Sequence, residues 1–486
     1  MISLGHKVHY VSPLLQLRRF ARPFSCQRAN ITMSSPRGPK LLNFPQEIVA
    51  QVIQKVGDRR DLSNTRLACK TLDTHAAKEL FKEIFISPSE EPVSTWNSVS
   101  QDDVIRRIPR HAIIHTQPDI ENHDGEREEI GEDFLNALAA LSKFPNLDSV
   151  EICFTPECEG AEEEFNQEIV EDLEARVDML TFIFQAIKDR AADEKNKRIR
   201  KLTIINLQNC PIPDFTSSDL FHDVMGELEE LHLSITQEYN EHGPDHDYTK
   251  IELQTFPAHL CSDWLKPISA NLRALSIYGR TDNWGPFPGY FDPSGISFPK
   301  LQTLALGYYT LAHDNDLDWV LAIKSLRKLI LHNCMVASWM KIGIDEMGIW
   351  KVRTHDWTRI SENVEGSWAD EFAYAGKWSQ FIDSIAGGLP NLVDFRFDGP
   401  SGYWASDDEL QYGVKHRDDC RSSIFPRRYI CFDHGILPTH WPEADSKGVM
   451  HSWMDEGTPV NMHTENLEAD QKSLDRLLDG LKKTRI

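Results

Sequence analysis

Histidines and acids close in sequence are the first place to look for a metal centre. His242, Asp245, His246 and Asp247 share one Gly-Pro segment. A zinc site needs ligands fixed on strands or helices and at least a third partner, and this segment has neither period. Loop polarity accounts for these four. Cys153 and Cys158 have no second pair to complete a zinc knuckle. His434 and His440 flank a proline turn, and His332 and Cys334 follow an apolar run as ordinary surface and core positions. Nucleophilic and phosphate chemistry leave no better trace. There is no Gly-x-Ser-x-Gly turn, no Gly-Lys-Ser/Thr after Gly388, and no Gly-x-Gly-x-x-Gly opening a helix. Acid pairs abound, but a glycosidase needs two carboxylates at a set distance across a cleft. The chain is therefore expected to have no catalytic residue, no metal and no cofactor. A hydrolase hidden in the inserted segments is the least favoured alternative.

Large aromatics offer a different kind of chemistry, the anchoring of a partner protein. Trp284, Tyr290, Tyr308, Tyr309, Trp350, Trp357, Trp368, Trp378, Tyr403 and Trp404 cluster in the second half. Most are expected in the core. Trp284, Tyr308, Tyr309 and Tyr403 fall in insertions and are the expected contacts for a target protein.

The elements that must carry such contacts follow from periodicity. Between Leu41 and Ile86, Ile48, Val49, Val52, Ile53 and Val56 form one apolar helical stripe after Phe44-Pro45. Gly57-Asp58 breaks it, Asp61 can cap a second short helix through Leu67, and Thr71 or Asp73 a third running to Ile84. Three short helices make a bundle with little core of its own, which gains stability from a partner. Ser87 to Asp103, rich in Ser, Pro and Glu, reads as a linker.

After residue 103 a second pattern, Leu-x-x-Leu-x-Leu, recurs at 147–152, 199–204, 228–233, 272–277, 301–306, 326–331 and 392–397. Leu-x-Leu is a short strand with one buried face, and the preceding Leu-x-x turns the chain into it. Helical stretches lie between copies at Glu168–Asp189, Leu317–Lys324 and Trp368–Ile385. One strand plus one helix per unit is the leucine-rich-repeat architecture, with parallel strands and outer helices. Starts are 25 to 66 residues apart, against roughly 20–29 in regular arrays. Insertions at Gln237–Trp264 and Cys334–Trp378 supply the excess. Arg428–Phe432 reads as a last strand. Leu474, Leu477, Leu478 and Leu481 give an amphipathic helix that caps the open end. Unrelated amphipathic strands of an α/β fold are the alternative.

The chain has 486 residues and a net charge of −23, which argues against a surface built to neutralise nucleic-acid phosphates. Acid is concentrated in 119–133 and in 157–174, read chiefly as solvated surface. Nine cysteines without regular spacing are not a disulfide framework, so a reducing cytoplasm or nucleus is expected. No apolar run suits a membrane span. Residues 1–40 carry seven Lys and Arg and no acid. They read as a disordered tail or an extension upstream of Met33, with a mitochondrial presequence as the lesser alternative.

The stretch Leu42-Asn43-Phe44-Pro45-Gln46-Glu47-Ile48-Val49, then Asp61-Leu62, Arg66-Leu67-Ala68-Cys69-Lys70-Thr71-Leu72 and Leu80-Phe81, resembles an F-box. It departs from the family pattern at Phe44, where Leu is usual, and in lacking a Trp after Cys69-Lys70. An F-box followed by degenerate leucine-rich repeats is similar to fungal F-box proteins. The resemblance implies an α/β chain: a three-helix F-box module at 41–86, a linker at 87–103, and an irregular leucine-rich-repeat solenoid at 104–486. It implies that Phe44, Pro45, Ile48, Val49, Ile53, Leu67, Cys69 and Leu72 bind a Skp-type adaptor linked to a cullin, while the repeats bind an unknown target. A repeat scaffold with no ubiquitin role, its first helices merely capping the array, is the alternative.

Overall fold

The computed structural model of the chain describes residues 41–118, 130–156, 158, 171–237, 239–240, 243–244, 250–280, 283–360, 367–399, 421–435, 441, 443–444, 450–451 and 463–484. The tail 1–40, most of both acidic stretches, His242, Asp245, His246, Asp247, Tyr403, Trp404 and His440 lie outside them.

Nine parallel strands form the main sheet. They are β1 (Glu83–Ile86), β2 (His111–His115), β3 (Ser149–Cys153), β4 (Lys201–Gln208), β5 (Glu230–Thr236), β8 (Ala274–Gly279), β9 (Thr303–Gly307), β11 (Lys328–His332) and β15 (Asp394–Asp398). They lie side by side in chain order, each paired only with its sequence neighbours in the sheet. All seven Leu-x-x-Leu-x-Leu copies fall on seven consecutive members, β3 to β15, in one register. Val150, Leu202, Leu231, Leu275, Leu304, Leu329 and Phe395 share a rung. Ile152, Ile204, Leu233, Ile277, Leu306, Leu331 and Phe397 share the next but one. A side-chain period of two puts both rows on the same face, and both rows join the main buried core. The opposite face carries a separate small cluster of Tyr278, Ala305 and Ile330. A Cβ at Gly307 would run into the Tyr278 ring, so glycine lets that ring cross the sheet.

Helices pack on the leucine face. They are α4 (Glu90–Gln101), α5 (Glu132–Ala139), α6 (Leu173–Ala191), α7 (Pro213–Thr216), α8 (Asp219–Met225), α9 (Ile251–His259, continuing as a π-turn to Leu265), α10 (Asp318–Leu321) and α12 (Trp378–Gly388). Arg190, at the end of α6, is fully buried and donates to the carbonyls of Phe144, Leu147 and Lys197. It thereby locks the turn into β3 against the turn into β4.

A second sheet grows from the insertions. β12 (Met335–Gly343) pairs in parallel with β10 (Thr310–Leu311) and β16 (Tyr429–Asp433), and antiparallel with β14 (Ala369–Ala373), which pairs with β13 (Thr358–Arg359). α11 (Ile344–Ile349) follows β12. Two short antiparallel pairs, β6 (Tyr239–Asn240) with β7 (Gly243–Pro244) and β17 (Glu443–Ala444) with β18 (Met450–His451), complete the strands. The last helix, α13 (His463–Thr484), packs Leu474 and Leu477 into the core beside α12. It is held by a fully buried ion pair, Arg428 Nε to Asp470 Oδ2 at 2.8 Å. Asp470 also accepts from the Tyr429 hydroxyl (2.9 Å) and the Ser379 N–H (2.8 Å).

Three helices precede the sheet: α1 (Gln46–Ile53), α2 (Arg59–Ala68) and α3 (Lys70–Leu80). Asp58, not Asp61, caps α2, accepting from the N–H groups of Arg60 and Asp61. The expected third helix stops at Leu80, because Ile84 belongs to β1. The module therefore ends near Leu80 rather than at Ile86. The expected linker 87–103 is corrected too. Most of it is α4, whose Val93, Trp96 and Val99 are buried and whose Trp96 indole donates to Ala137 O at 2.8 Å. Pro92 sits in the first turn, where a missing N–H leaves no bond unmade.

Other expectations shift more modestly. Trp368–Ile385 is helical only from Trp378, its start being β14. The strand expected at Arg428–Phe432 runs from Tyr429 to Asp433 and belongs to the second sheet. Among the described residues no helix is long and apolar enough to cross a membrane. Cys261, Cys334 and Cys431 are buried, and burial pushes each thiol up to about 12.

Candidate functional site

The α1 stripe is two residues wide, and neighbours on a helix point about 100° apart, so a core as small as this one covers only half of it. Val49 and Ile53, four residues apart, are 0% and 2% exposed and make the module's own core with Leu62 and Ala76. Ile48 and Val52, also four apart, face outward. With Leu42 and Phe44 they are 40–49% exposed, and Leu67 on α2 is 85% exposed. The frame beneath is polar and local. Gln46 Oε1 meets His75 Nε2 at 2.8 Å, tying α1 to α3, and Arg66 Nε meets Asp73 Oδ1 at 2.9 Å, tying α2 to α3. The Arg66 guanidinium also lies 5.0 Å from the centre of the Phe81 ring, and Phe81 packs on the core of the main sheet.

The eight residues expected to meet an adaptor thus divide. Phe44, Pro45, Ile48 and Leu67 are exposed. Val49 and Ile53 are core and unavailable to any partner while the module is folded. Leu72 packs partly into that core, and Cys69 is half-buried at the start of α3. Leu42 and Val52 join the exposed set. Val52 was legible from its spacing of four from Ile48.

The expected target contacts are corrected by burial. Tyr309 is fully buried, its hydroxyl donating to Asp316 O and accepting from the Trp319 indole. Tyr308 is buried beside His332. Trp284 is half-buried, donates to Gly307 O at 2.7 Å and meets Phe291 and Tyr309 edge-on. Tyr308, Tyr309 and Trp284 turn inward to build core, which is why they are not free anchors.

What the sheet offers instead is charge. One rung before the strands, Arg110, Asp148, Arg200, Glu229, Arg273, Gln302 and Arg327 follow one another through backbone hydrogen bonds. Acid and base alternate, with Arg273 Nε 3.2 Å from Glu229. The alternation ends at Arg273, beyond which Arg327 is flanked by the neutral Gln302 and Val393. Arg273, Lys300 and Arg327 line one shallow depression there. Ile199-Arg200, Leu272-Arg273 and Leu326-Arg327, each just before a strand, were the sequence signal. On the next rung Lys201 and Glu230 pair at 2.8 Å, and hydrogen bonds from His232 and Lys201 hold Glu230 down at about 2 despite partial burial. The His332 ring lies 2.8 Å from Asp398.

The sequence matches no protein-family model, and no curated protein matches it.

Proposed function

We propose that this chain is the target-recognition subunit of an SCF-type cullin ubiquitin ligase. Its helical module is an F-box that binds a Skp-type adaptor, and its sheet domain is an irregular leucine-rich-repeat array that binds a target protein. One observation carries the reading: Leu42, Phe44, Ile48, Val52 and Leu67 stay exposed on a module whose core is already complete without them. Apolar side chains grouped like this on a small module mark a docking face. The same observation disfavours a scaffold whose first helices only cap the array, since Val49 and Ile53 pack within the module and not on the strands. The repeat reading is supported by seven motifs landing on seven successive strands of one parallel ladder.

The mechanism is proximity. The chain supplies binding free energy and orientation, and the chemistry belongs to a charged ubiquitin carrier brought in with the cullin. No cofactor, nucleic acid or membrane takes part, and the work is done in the cytoplasm or nucleus. The cationic depression at Arg273, Lys300 and Arg327 is the part of the array best suited to an acidic stretch of the target.

The test is co-purification of a Skp-type adaptor and a cullin with the tagged chain, against a chain lacking residues 41–80. The deletion stops there because residues 83–86 are the edge strand of the sheet. Loss of both partners on deletion supports the proposal. Absence of both from the intact, folded chain refutes it.

A further inference from the structure

Two loops of the second sheet bring together residues that no spacing in the sequence connects. The loop after β10 carries His313, and the loop before β13 carries His355 and Asp356. Each offers one nitrogen or oxygen, and the three atoms lie within 4.8 Å of one another. The loops are fixed independently of these side chains. Asp316 Oδ2 accepts the N–H groups of Ala312 and His313 at 2.7 Å each, and the Trp357 indole donates to Ala312 O at 2.6 Å. Asp356 is oriented by the Asp314 N–H, 2.9 Å from Oδ2. Its Oδ1 lies 2.5 Å from His313 Nδ1, and Oδ2 lies 3.8 Å from His355 Nε2. The His313 ring is parallel to both His355 and Trp357 at about 5 Å.

Burial is graded across the trio. His313 is fully buried, Asp356 is partly buried, and the His355 side chain is 60% exposed. The second observation concerns His313 itself. Its Nε2 is buried and meets no hydrogen-bond partner. That nitrogen is the one not facing Asp356, so a ring flip would present it to an ion held by the carboxylate. In a tetrahedral zinc centre, bonds of about 2.0–2.2 Å put ligand atoms roughly 3.3 Å apart. The two imidazoles now meet different oxygens of Asp356, so a shared ion would take the place of the His313–Asp356 contact, and the exposed His355 can close the remaining distance by side-chain rotation.

We propose that His313, His355 and Asp356 form a binding site for a first-row divalent cation of the zinc class, with a fourth position open to solvent. Two imidazoles and a carboxylate are a borderline donor set, suited to zinc and its neighbours rather than to calcium or magnesium. The site lies in the insertion-built sheet, apart from the helical module, so it stands or falls separately from the adaptor proposal.

The test uses the full chain, stripped with chelator and titrated with zinc alone by calorimetry, then with cobalt(II) by visible absorption. The expected result is one zinc per chain, bound at least ten-fold more weakly by His355→Ala and by Asp356→Asn. His355→Ala is the decisive variant, because an exposed side chain can be removed without unfolding the loop. His75→Ala, a histidine on the helical module, is the control and should bind as the parent does. Cobalt should give tetrahedral ligand-field bands without a thiolate charge-transfer band. No stoichiometric zinc, equal affinity in His355→Ala, or a thiolate band would each overturn the proposal.

Discussion

Leu67 and Ile48 permit a test that separates docking from folding. Fully burying a Leu or Ile side chain contributes about 1.5–3 kcal/mol. Leu67 is 85% exposed and Ile48 40%, so burial under an adaptor leaves about 2 kcal/mol to gain at the first and about 1 at the second. Truncating both in Leu67→Ala/Ile48→Ala should cost about 3 kcal/mol, a roughly 100-fold rise in Kd. Neither change touches the module's core, and Ala is a better helix former than either residue, so stability should move by less than about 0.5 kcal/mol. The assay is calorimetric titration of the purified chain with a Skp-type adaptor, beside circular dichroism of both variants. A Kd within threefold of the parent, with helicity intact, would refute docking through this face. A lost fold would refute the partition of α1 into inner and outer halves.

Three further outcomes follow from named contacts. Val49→Asp should unfold the helical module while the sheet domain keeps its own thermal transition, because the two cores are separate; differential scanning calorimetry reads this directly. Asp470→Ala strands the Arg428 charge in the core and should cost about 3–5 kcal/mol in urea unfolding, while Arg428→Met/Asp470→Leu should recover much of it. Glu230 is held at about 2 in the folded chain, below its ordinary 4.5. Its contribution is therefore complete above about pH 4.5 and fades as pH falls toward 2. It amounts to at most about 3 kcal/mol, and Glu230→Gln should flatten that part of the acid-unfolding curve.

How far this structure was legible varies element by element. The motif strands were plain, since each carries its own entry turn and a two-residue period that puts two branched or aromatic side chains on one face. β1 and β2 were not, because Glu-Ile-Phe-Ile and His-Ala-Ile-Ile-His have the strand but not the Leu-x-x that leads into it. α4 was hidden by composition. Its Ser, Pro and Glu read as linker, yet Val93, Trp96 and Val99 at intervals of three were a buried stripe. In the helical module the stripe was visible but its partition was not: which half of a doubled stripe turns inward depends on where α2 and α3 lie, with Leu62 and Ala76 at the centre of the contact. Tyr308 and Tyr309 failed for a related reason. An insertion reads as surface until a second sheet is known to stand behind it. The His313, His355 and Asp356 trio was out of reach, since its members meet only through tertiary folding.

The joint between module and sheet has a mechanical consequence. Only Phe81 and Lys82 separate α3 from β1, and Phe81 is gripped from both sides, by the Arg66 guanidinium above and the sheet core below. A long flexible tether would let a captured protein sweep a volume; a two-residue joint narrows that volume. In the proposed assembly, a short joint limits the reach from adaptor to target, and selectivity among the target's lysines becomes a matter of which ones fall within that reach. Lengthening the joint with a few glycines after Phe81 should leave both bindings intact while scattering the sites of ubiquitin transfer.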